Sequence, residues 1–209
     1  MIDPNNITEL DASRFRLEEQ LLFWICVAGK KASTISARLE ILFKSICKYW
    51  EFPEEAGPFN VIRGYLALKN THQLAKLMKE CGIGCYNLKA ESWTDLVSRD
   101  IDLKTCSVAD LEDIKGIGPK TARCFIMHTR KDAQVAGLDT HVLKFLRALG
   151  YDVPKQTPPS GKRYQEVEQM FLELCEQSGR TPAVLDLLVW RVYSTHPHLE
   201  QMLLDFFLR

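Results

Sequence analysis

The run Leu111-Glu112-Asp113-Ile114-Lys115-Gly116-Ile117-Gly118-Pro119-Lys120-Thr121-Ala122 leaves the backbone few choices. A short helix ends near Ile114, Gly116-Ile117-Gly118 turns, and Pro119, with fixed φ and no amide hydrogen, suits the first position of a new helix. Two helices joined by a tight hairpin are predicted, with the unpaired amides of the second helix facing outward. Glycine there permits positive φ and lets an anion approach the backbone, and the helix start adds a favourable dipole. A phosphate held this way is positioned without any base being read. The same residues also suit an ordinary corner between helices, in which glycine serves geometry alone.

Apolar spacing is helical along nearly the whole chain. Leu39, Leu42, Phe43 and Ile46 recur at three and four, as do Val142, Phe145, Leu146 and Leu149. Further helices are predicted near 14–28, 59–69, 71–80, 91–99, 107–114, 119–130, 163–178, 182–194 and 199–207. Ser107 and Thr181-Pro182 are starts, and Gly82, Gly150 and Gly179 are stops. No alternating strand pair is evident, so the fold class is all-α. Tyr151 to Lys162, with Pro154, Pro158, Pro159 and Gly161, reads as a surface loop between helices.

A chain of 209 residues that is 46% hydrophobic can bury a sizeable core. No apolar run reaches the ~18 residues of a membrane span, and Met1 to Asp11 lacks the pattern of a secretory leader, so an intracellular protein is expected. Seven cysteines at irregular spacing read as buried free thiols rather than as disulfides, zinc ligands or an iron–sulfur site. The 27 basic and 27 acidic residues balance, yet 28–50 has five basic residues against Glu40 alone, and 163–209 has seven acidic against four basic. That uneven distribution fits either a polarised surface or merely solvated helix faces.

Ile114 to Ala122, together with Gly137-Leu138-Asp139-Thr140-His141-Val142, resembles the helix-hairpin-helix (HhH-GPD) DNA glycosylase superfamily of endonuclease III and the 8-oxoguanine glycosylases. Tyr86 to Glu91 is similar to a helix-opening segment of endonuclease III, Phe23 to Cys26 to the helix before the intercalating loop, and Asp186 to Trp190 to the last substrate-pocket helix. The similarity runs over about residues 15–195. No four-cysteine pattern follows Trp190, unlike typical endonuclease III. The resemblance therefore implies a two-lobed all-α glycosylase fold without an iron–sulfur cluster, with a helical barrel from 29 to 136 and a second lobe from 1–28 and 137–209.

The resemblance assigns Lys120 as the catalytic lysine, whose neutral amine attacks the anomeric carbon and forms a Schiff base. Such chemistry requires the site to depress its pKa by burial or nearby positive charge. An exposed first-turn lysine touching phosphate is the other reading of the same position. Asp139, directly before an amphipathic helix, reads by itself as an N-cap. The resemblance makes it the catalytic carboxylate as well, stabilising positive charge on the sugar. Gly116, Gly118, Lys30, Lys31, Thr121 and His141 are implied DNA contacts, with Ala28-Gly29-Lys30-Lys31-Ala32 at the wedge position. That loop departs from the Gln or Asn of several members, and its Gly-Lys pair is similar to the archaeal 8-oxoguanine enzymes. Asp186 and Trp190 share a helix face and are implied base contacts, although a Trp amid Leu185, Leu187, Leu188 and Val189 also suits a core.

The implied function is a bifunctional glycosylase and abasic-site lyase that removes an oxidised base, 8-oxoguanine in the first instance. Oxidised pyrimidines or mismatched bases are alternative substrates, and a non-catalytic hairpin DNA-binding module or a helical protein-interaction domain are alternative functions. The implied partner is damaged duplex DNA, bound by a monomer with no membrane, cofactor or metal centre and with room for a monovalent cation at the hairpin.

Overall fold

The computed structural model describes residues 2–48 and 56–208, and all regular structure among them is helical. In chain order the helices are α1 (Arg14–Val27), α2 (Ala32–Cys47), α3 (Pro58–Leu68), α4 (Thr71–Glu80), α5 (Tyr86–Ser98), α6 (Val108–Glu112), α7 (Pro119–Thr129), α8 (Thr140–Ala148), α9 (Lys162–Ser178), α10 (Pro182–Ser194) and α11 (Glu200–Phe207), with a 3₁₀ turn at Pro197–Leu199. The all-α expectation holds. Starts follow local chemistry: Ser107 and Asp110 form a reciprocal capping box at α6, Asn70 and Gln73 another at α4, and Thr181 accepts from the Val184 amide before Pro182. α5 begins at Tyr86, earlier than the helix expected from 91, after Cys85 takes a left-handed φ of 53°.

The chain forms two compact units, Met1–Ile117 and Gly118–Arg209. This division differs from the lobes expected from the sequence. In the first unit α1 packs on α2, α3 and α5, because its apolar surface extends around much of the helix: Leu17, Leu21, Leu22, Phe23, Ile25 and Cys26 are all buried. Two of its polar side chains are buried as well. One of them, Glu18, accepts from the Phe59 amide at 2.9 Å and so satisfies the start of α3. Trp93 and Leu96 of α5 and Leu74 and Met78 of α4 complete the interior.

In the second unit α7 packs on α10, and α8 packs on both α9 and α10. The core is Leu138, Val142, Phe145 and Leu146 with Tyr164, Val167 and Phe171 of α9, Leu185, Val189 and Val192 of α10, and Leu203 of α11. Among the described residues no helix is long and apolar enough to cross a membrane. No group of three or more His, Cys, Asp or Glu among them is placed to hold a metal. All seven cysteines are free; Cys26, Cys106, Cys124 and Cys175 are buried as expected, whereas Cys47 and Cys85 are exposed.

The hairpin glycines have different tasks. Gly116 has φ +84°, and an added Cβ would sit 2.2 Å from Ser92 Oγ on α5. The preceding residues are fastened to the same helix, with the Lys115 amide donating to Asp95 Oδ2 at 3.0 Å and Arg99 bound to Asp95 and Asp113. Gly118 has an ordinary φ of −94° and only open space where a Cβ would be. Only Gly116 is therefore required by the fold. Gly116→Ala is expected to cost about 2 kcal/mol or more in urea unfolding, from left-handed backbone strain plus the Ser92 contact. Gly118→Ala stays within about 0.5 kcal/mol of the parent.

Candidate active site

Gly118 caps α7 and Pro119 occupies its first position, so Lys120 projects from the first turn. The first intrahelical bond there joins the Ala122 amide to the Gly118 carbonyl, and earlier amides lie at the open helix end. Helical spacing places Lys120, Cys124 and His128 on one face. Lys120 is half-buried, while Cys124 and His128 are buried.

The loop after α7 brings Asp139 to this face. At Gly137 it passes so close to α7 that a Cβ would lie 2.2 Å from Cys124 Sγ. Polar side chains then grip the adjoining backbone. Glu168 Oε1 accepts from the Ala136 amide at 2.8 Å, and the Tyr164 hydroxyl donates to the Ala136 carbonyl at 2.9 Å and accepts from the Leu138 amide at 3.1 Å. Thr157, in the long loop before α9, donates to the Leu138 carbonyl at 2.6 Å. Arg123 of α7 binds Glu168 at 2.9 Å and lies 4.2 Å over the Tyr164 ring, so one network spans α7, α9 and this loop. All of these partners are buried or nearly so, where an unsatisfied polar group would be costly.

Asp139 is thereby fixed as the N-cap of α8. The amides of His141 and Val142 both donate to its Oδ1, each at 2.8 Å, so the cap consumes one oxygen and does not use Oδ2. On α10, Asp186 Oδ2 lies 3.2 Å from His128 Nε2. The candidate nucleophile and carboxylate that the sequence joins by resemblance thus meet in one unit, with Asp186 as a third charge beside them.

The charges around Lys120 act against the depression that the chemistry requires. Burial pushes the Lys120 pKa down as anticipated, but Cys124, Asp139 and Asp186 together outweigh it and carry the value above 10.5. The Cys124 thiol is itself pushed far up by burial, so the two carboxylates are the groups that hold charge against the ammonium at neutral pH. The Asp139 carboxyl is raised above 3.8, first by burial and then by the like charge of Asp186; Lys120, the Val142 amide and His141 oppose the shift. In the free protein Asp139 and Asp186 thus favour the ammonium form of Lys120, against burial.

Other predicted residues divide between the units. Gly118, Thr121, His141, Asp186 and Trp190 belong to the second. Thr121 is buried, so its backbone amide rather than its hydroxyl is what it can present at the α7 start. His141 is half-buried, and Trp190, one turn beyond Asp186, is partly exposed rather than core. Lys30, Lys31 and Gly116 belong to the first unit. Lys30 and Lys31 are exposed, with the Lys30 stem lying over Gly84. The loop that carries them follows α1, whose end is held by buried Lys89 donating to the Cys26 carbonyl at 2.6 Å. Sequence reasoning missed Cys124, His128, Arg123, Tyr164, Glu168 and Lys89. Only Cys124 and His128 had a signal, four and eight residues beyond Lys120.

The sequence profile of the Ogg-HhH family, described as 8-oxoguanine DNA glycosylase, matches residues 59–180, more than half of the chain. The chain belongs to this family. The profile takes in Lys120, Asp139 and the Tyr164–Glu168 network but neither the 28–32 loop nor α10. Among Ogg relatives, the 8-oxoguanine DNA glycosylase/AP lyase of Picrophilus torridus is 34% identical over 82 residues, 39% of this chain and 38% of that protein. The Methanocaldococcus jannaschii enzyme of the same name is 28% identical over 138 residues, 61% of this chain and 65% of its own. The matched stretch thus spans less than half the length of the first of these relatives and just under two thirds of the second. The structure of the Methanocaldococcus jannaschii 8-oxoguanine glycosylase/lyase in complex with a 15mer DNA containing 8-oxoguanine matches with a TM-score of 0.63 at 22% identity, over 86% of this chain and 81% of that one. The Thermotoga maritima 8-oxoguanine DNA glycosylase matches with a TM-score of 0.61 at 21% identity, over 87% and 81%. These likenesses establish the glycosylase fold.

Two expectations follow for this Ogg-family site. Gly137→Ala should cost about 1–3 kcal/mol in urea unfolding by overpacking against Cys124, and Cys124→Ala in the same chain should recover most of that loss, since Cys124 Cβ is an ordinary 3.5 Å away. Asp139 has a folded pKa above its unfolded one, so its contribution to stability is complete below about pH 3.8 and is lost as pH rises through the folded value. Asp139→Asn keeps a capping oxygen without the charge. Its melting temperature should exceed that of the parent at pH 7, with the difference shrinking towards pH 4; an equal difference at both values would contradict the assignment.

Proposed function

We propose that the chain is a base-excision DNA glycosylase with lyase activity on abasic sites, acting on 8-oxoguanine in duplex DNA. The observation that carries this reading is Lys120 enclosed with Asp139, a carboxylate whose cap uses one oxygen and leaves the other available to a ligand. The names of the relatives support 8-oxoguanine as the base, and the pairing of Lys120 with Asp139 supports the chemistry.

With a nucleotide flipped from the stack, Lys120 Nζ must lose a proton and attack C1′ of the sugar. As the glycosidic bond breaks the Asp139 carboxylate stabilises the cationic sugar, and as Nζ attacks and cancels that charge the raised carboxyl accepts the Nζ proton. The N–C1′ bond forms, the base leaves with the glycosidic electron pair and takes up a proton, and the sugar ring opens to a Schiff base. Loss of a C2′ proton from that Schiff base then expels the 3′ phosphate by β-elimination.

In this reading Gly116, Gly118, Thr121 and His141 hold backbone phosphates, with Lys30 and Lys31 supplying charge at the wedge loop. Asp186 and Trp190 receive the base, the ring by stacking and the carboxylate by accepting a base N–H. The protein acts as a monomer. The Ile114 carbonyl, which accepts from the Ile117 amide, keeps a second lone pair for a monovalent cation at the turn.

Borohydride reduction during incubation with an 8-oxoguanine duplex tests the reading. A covalent protein–DNA adduct is expected from the parent chain, none from Lys120→Gln, and about a hundredfold slower base release from Asp139→Asn. Absence of an adduct with both 8-oxoguanine and abasic DNA would sink the lysine mechanism. Salt-sensitive DNA binding without an adduct would mark a binding module instead.

A further inference from the structure

His128 is fully buried two turns beyond Lys120 on α7, and the proposed chemistry makes no use of it. Its Nε2 lies 3.2 Å from Asp186 Oδ2. An ionised carboxylate has only acceptor oxygens, so the hydrogen between them sits on Nε2. The Asp186 side chain retains only 13% of its exposure and acts electrostatically on Lys120, Asp139, Cys124 and Cys175. A carboxylate so enclosed, with a second carboxylate nearby, needs a donor from the protein, and the oxygen that receives it sets how the group is turned. Here Oδ2 is the oxygen bound by His128. Oδ1 is then the oxygen available to a ligand, on the helix that carries partly exposed Trp190 one turn away.

We propose that His128 is a positioning residue for base recognition: by binding Asp186 Oδ2 it sets Oδ1 as the acceptor for a ring N–H of the flipped base. The inference rests on the glycosylase reading above and narrows it. The base must present an N–H at N7 of its five-membered ring to α10, as a purine oxidised at C8 does, and guanine, which offers a lone pair there, is repelled. An abasic sugar presents no such group. His128 therefore matters when a base is present and matters little when it is absent, which separates recognition from both catalysis and general support of the fold.

The full chain and its variants are compared in two assays: equilibrium binding to duplexes with 8-oxoguanine or guanine on a cleavage-resistant 2′-fluoro sugar, and borohydride trapping on abasic DNA. For His128→Leu the affinity ratio of 8-oxoguanine over guanine should fall about tenfold, the scale of one charge-assisted hydrogen bond, while abasic trapping changes less than about threefold. His128→Gln, whose amide nitrogen reaches the Nε2 position, should retain most of the ratio. Adding Asp186→Asn to His128→Leu should lower the ratio little further, because the two residues act as one unit. If His128→Leu does not fold, as judged by its urea transition, His128→Asn, whose amide is too short to reach Asp186, takes its place with the same expected values.

An unchanged ratio overturns the role of His128, as does a ratio in His128→Gln as low as in His128→Leu. Parallel loss of ratio and trapping makes His128 structural and overturns it too. A parent chain that traps no abasic DNA and binds both duplexes equally overturns the glycosylase reading and this inference with it. A parent chain that traps and discriminates, beside a His128→Leu variant that discriminates equally well, overturns the inference alone.

Discussion

The hydrogen bonds from the His141 and Val142 amides to Asp139 Oδ1 are the constraint on which the site in the second unit depends. They begin α8, and α8 carries Val142, Phe145 and Leu146 into the core. They also fix a charged group beside Lys120. Structure and chemistry share one side chain because a carboxylate has two oxygens, and the helix start takes only one. A cap is usually interchangeable among Ser, Thr, Asn and Asp at modest cost. Here the charge of Asp139 is disfavoured in the folded state by burial and by Asp186, so stability does not explain the residue type, and on the proposed reading its chemistry does.

A cap cannot place itself, and the preceding backbone shows how it is placed. Residues 136–138 are held from one side by Tyr164, Glu168 and Thr157 and pressed from the other against Cys124, with no room for a side chain at 137. The hydrogen-bonding residues come from α9 and the loop before it, roughly 20 to 30 residues further along the chain. Because Glu168 also binds Arg123, the helix bearing Lys120 and the loop bearing Asp139 refer to one carboxylate. A shift of either is resisted by the other, so the Lys120 helix and the Asp139 loop are held in register, as the proposed chemistry demands.

The legible part of the fold was the part written locally. Ser107, Thr181-Pro182, Pro119 and Asp139 marked helix starts by chemistry acting within three residues, and all four are starts in the structure. Lys120 and Asp139 were singled out by family resemblance, each beside a local signal, the glycine turn and the cap. Tyr164, Glu168 and Arg123 carry no such signal; along the sequence they are ordinary members of amphipathic helices, and their task appears only when α7 and α9 meet. The packing partners of α1 and α7 are likewise set by tertiary contacts that periodicity does not encode. The direction of the Lys120 shift was not legible for the same reason: Asp186, whose charge helps raise it, lies 66 residues away along the chain.

That reversal bears on when the nucleophile is released. A neutral amine beside two enclosed carboxylates would leave their charge unbalanced, so the free protein keeps Lys120 protonated. On the proposed reading, the reaction removes this obstacle itself. As the glycosidic bond lengthens, positive charge grows on the sugar at the place where the ammonium had faced Asp139 and Asp186. The sugar then takes over as their counter-charge, the ammonium loses the attraction that had raised its pKa, and burial, which always favoured the neutral amine, prevails. Nucleophile release is in this way tied to bond breaking at a correctly placed sugar, and the two carboxylates that hold the proton in the resting site are the groups that stabilise the charge replacing it.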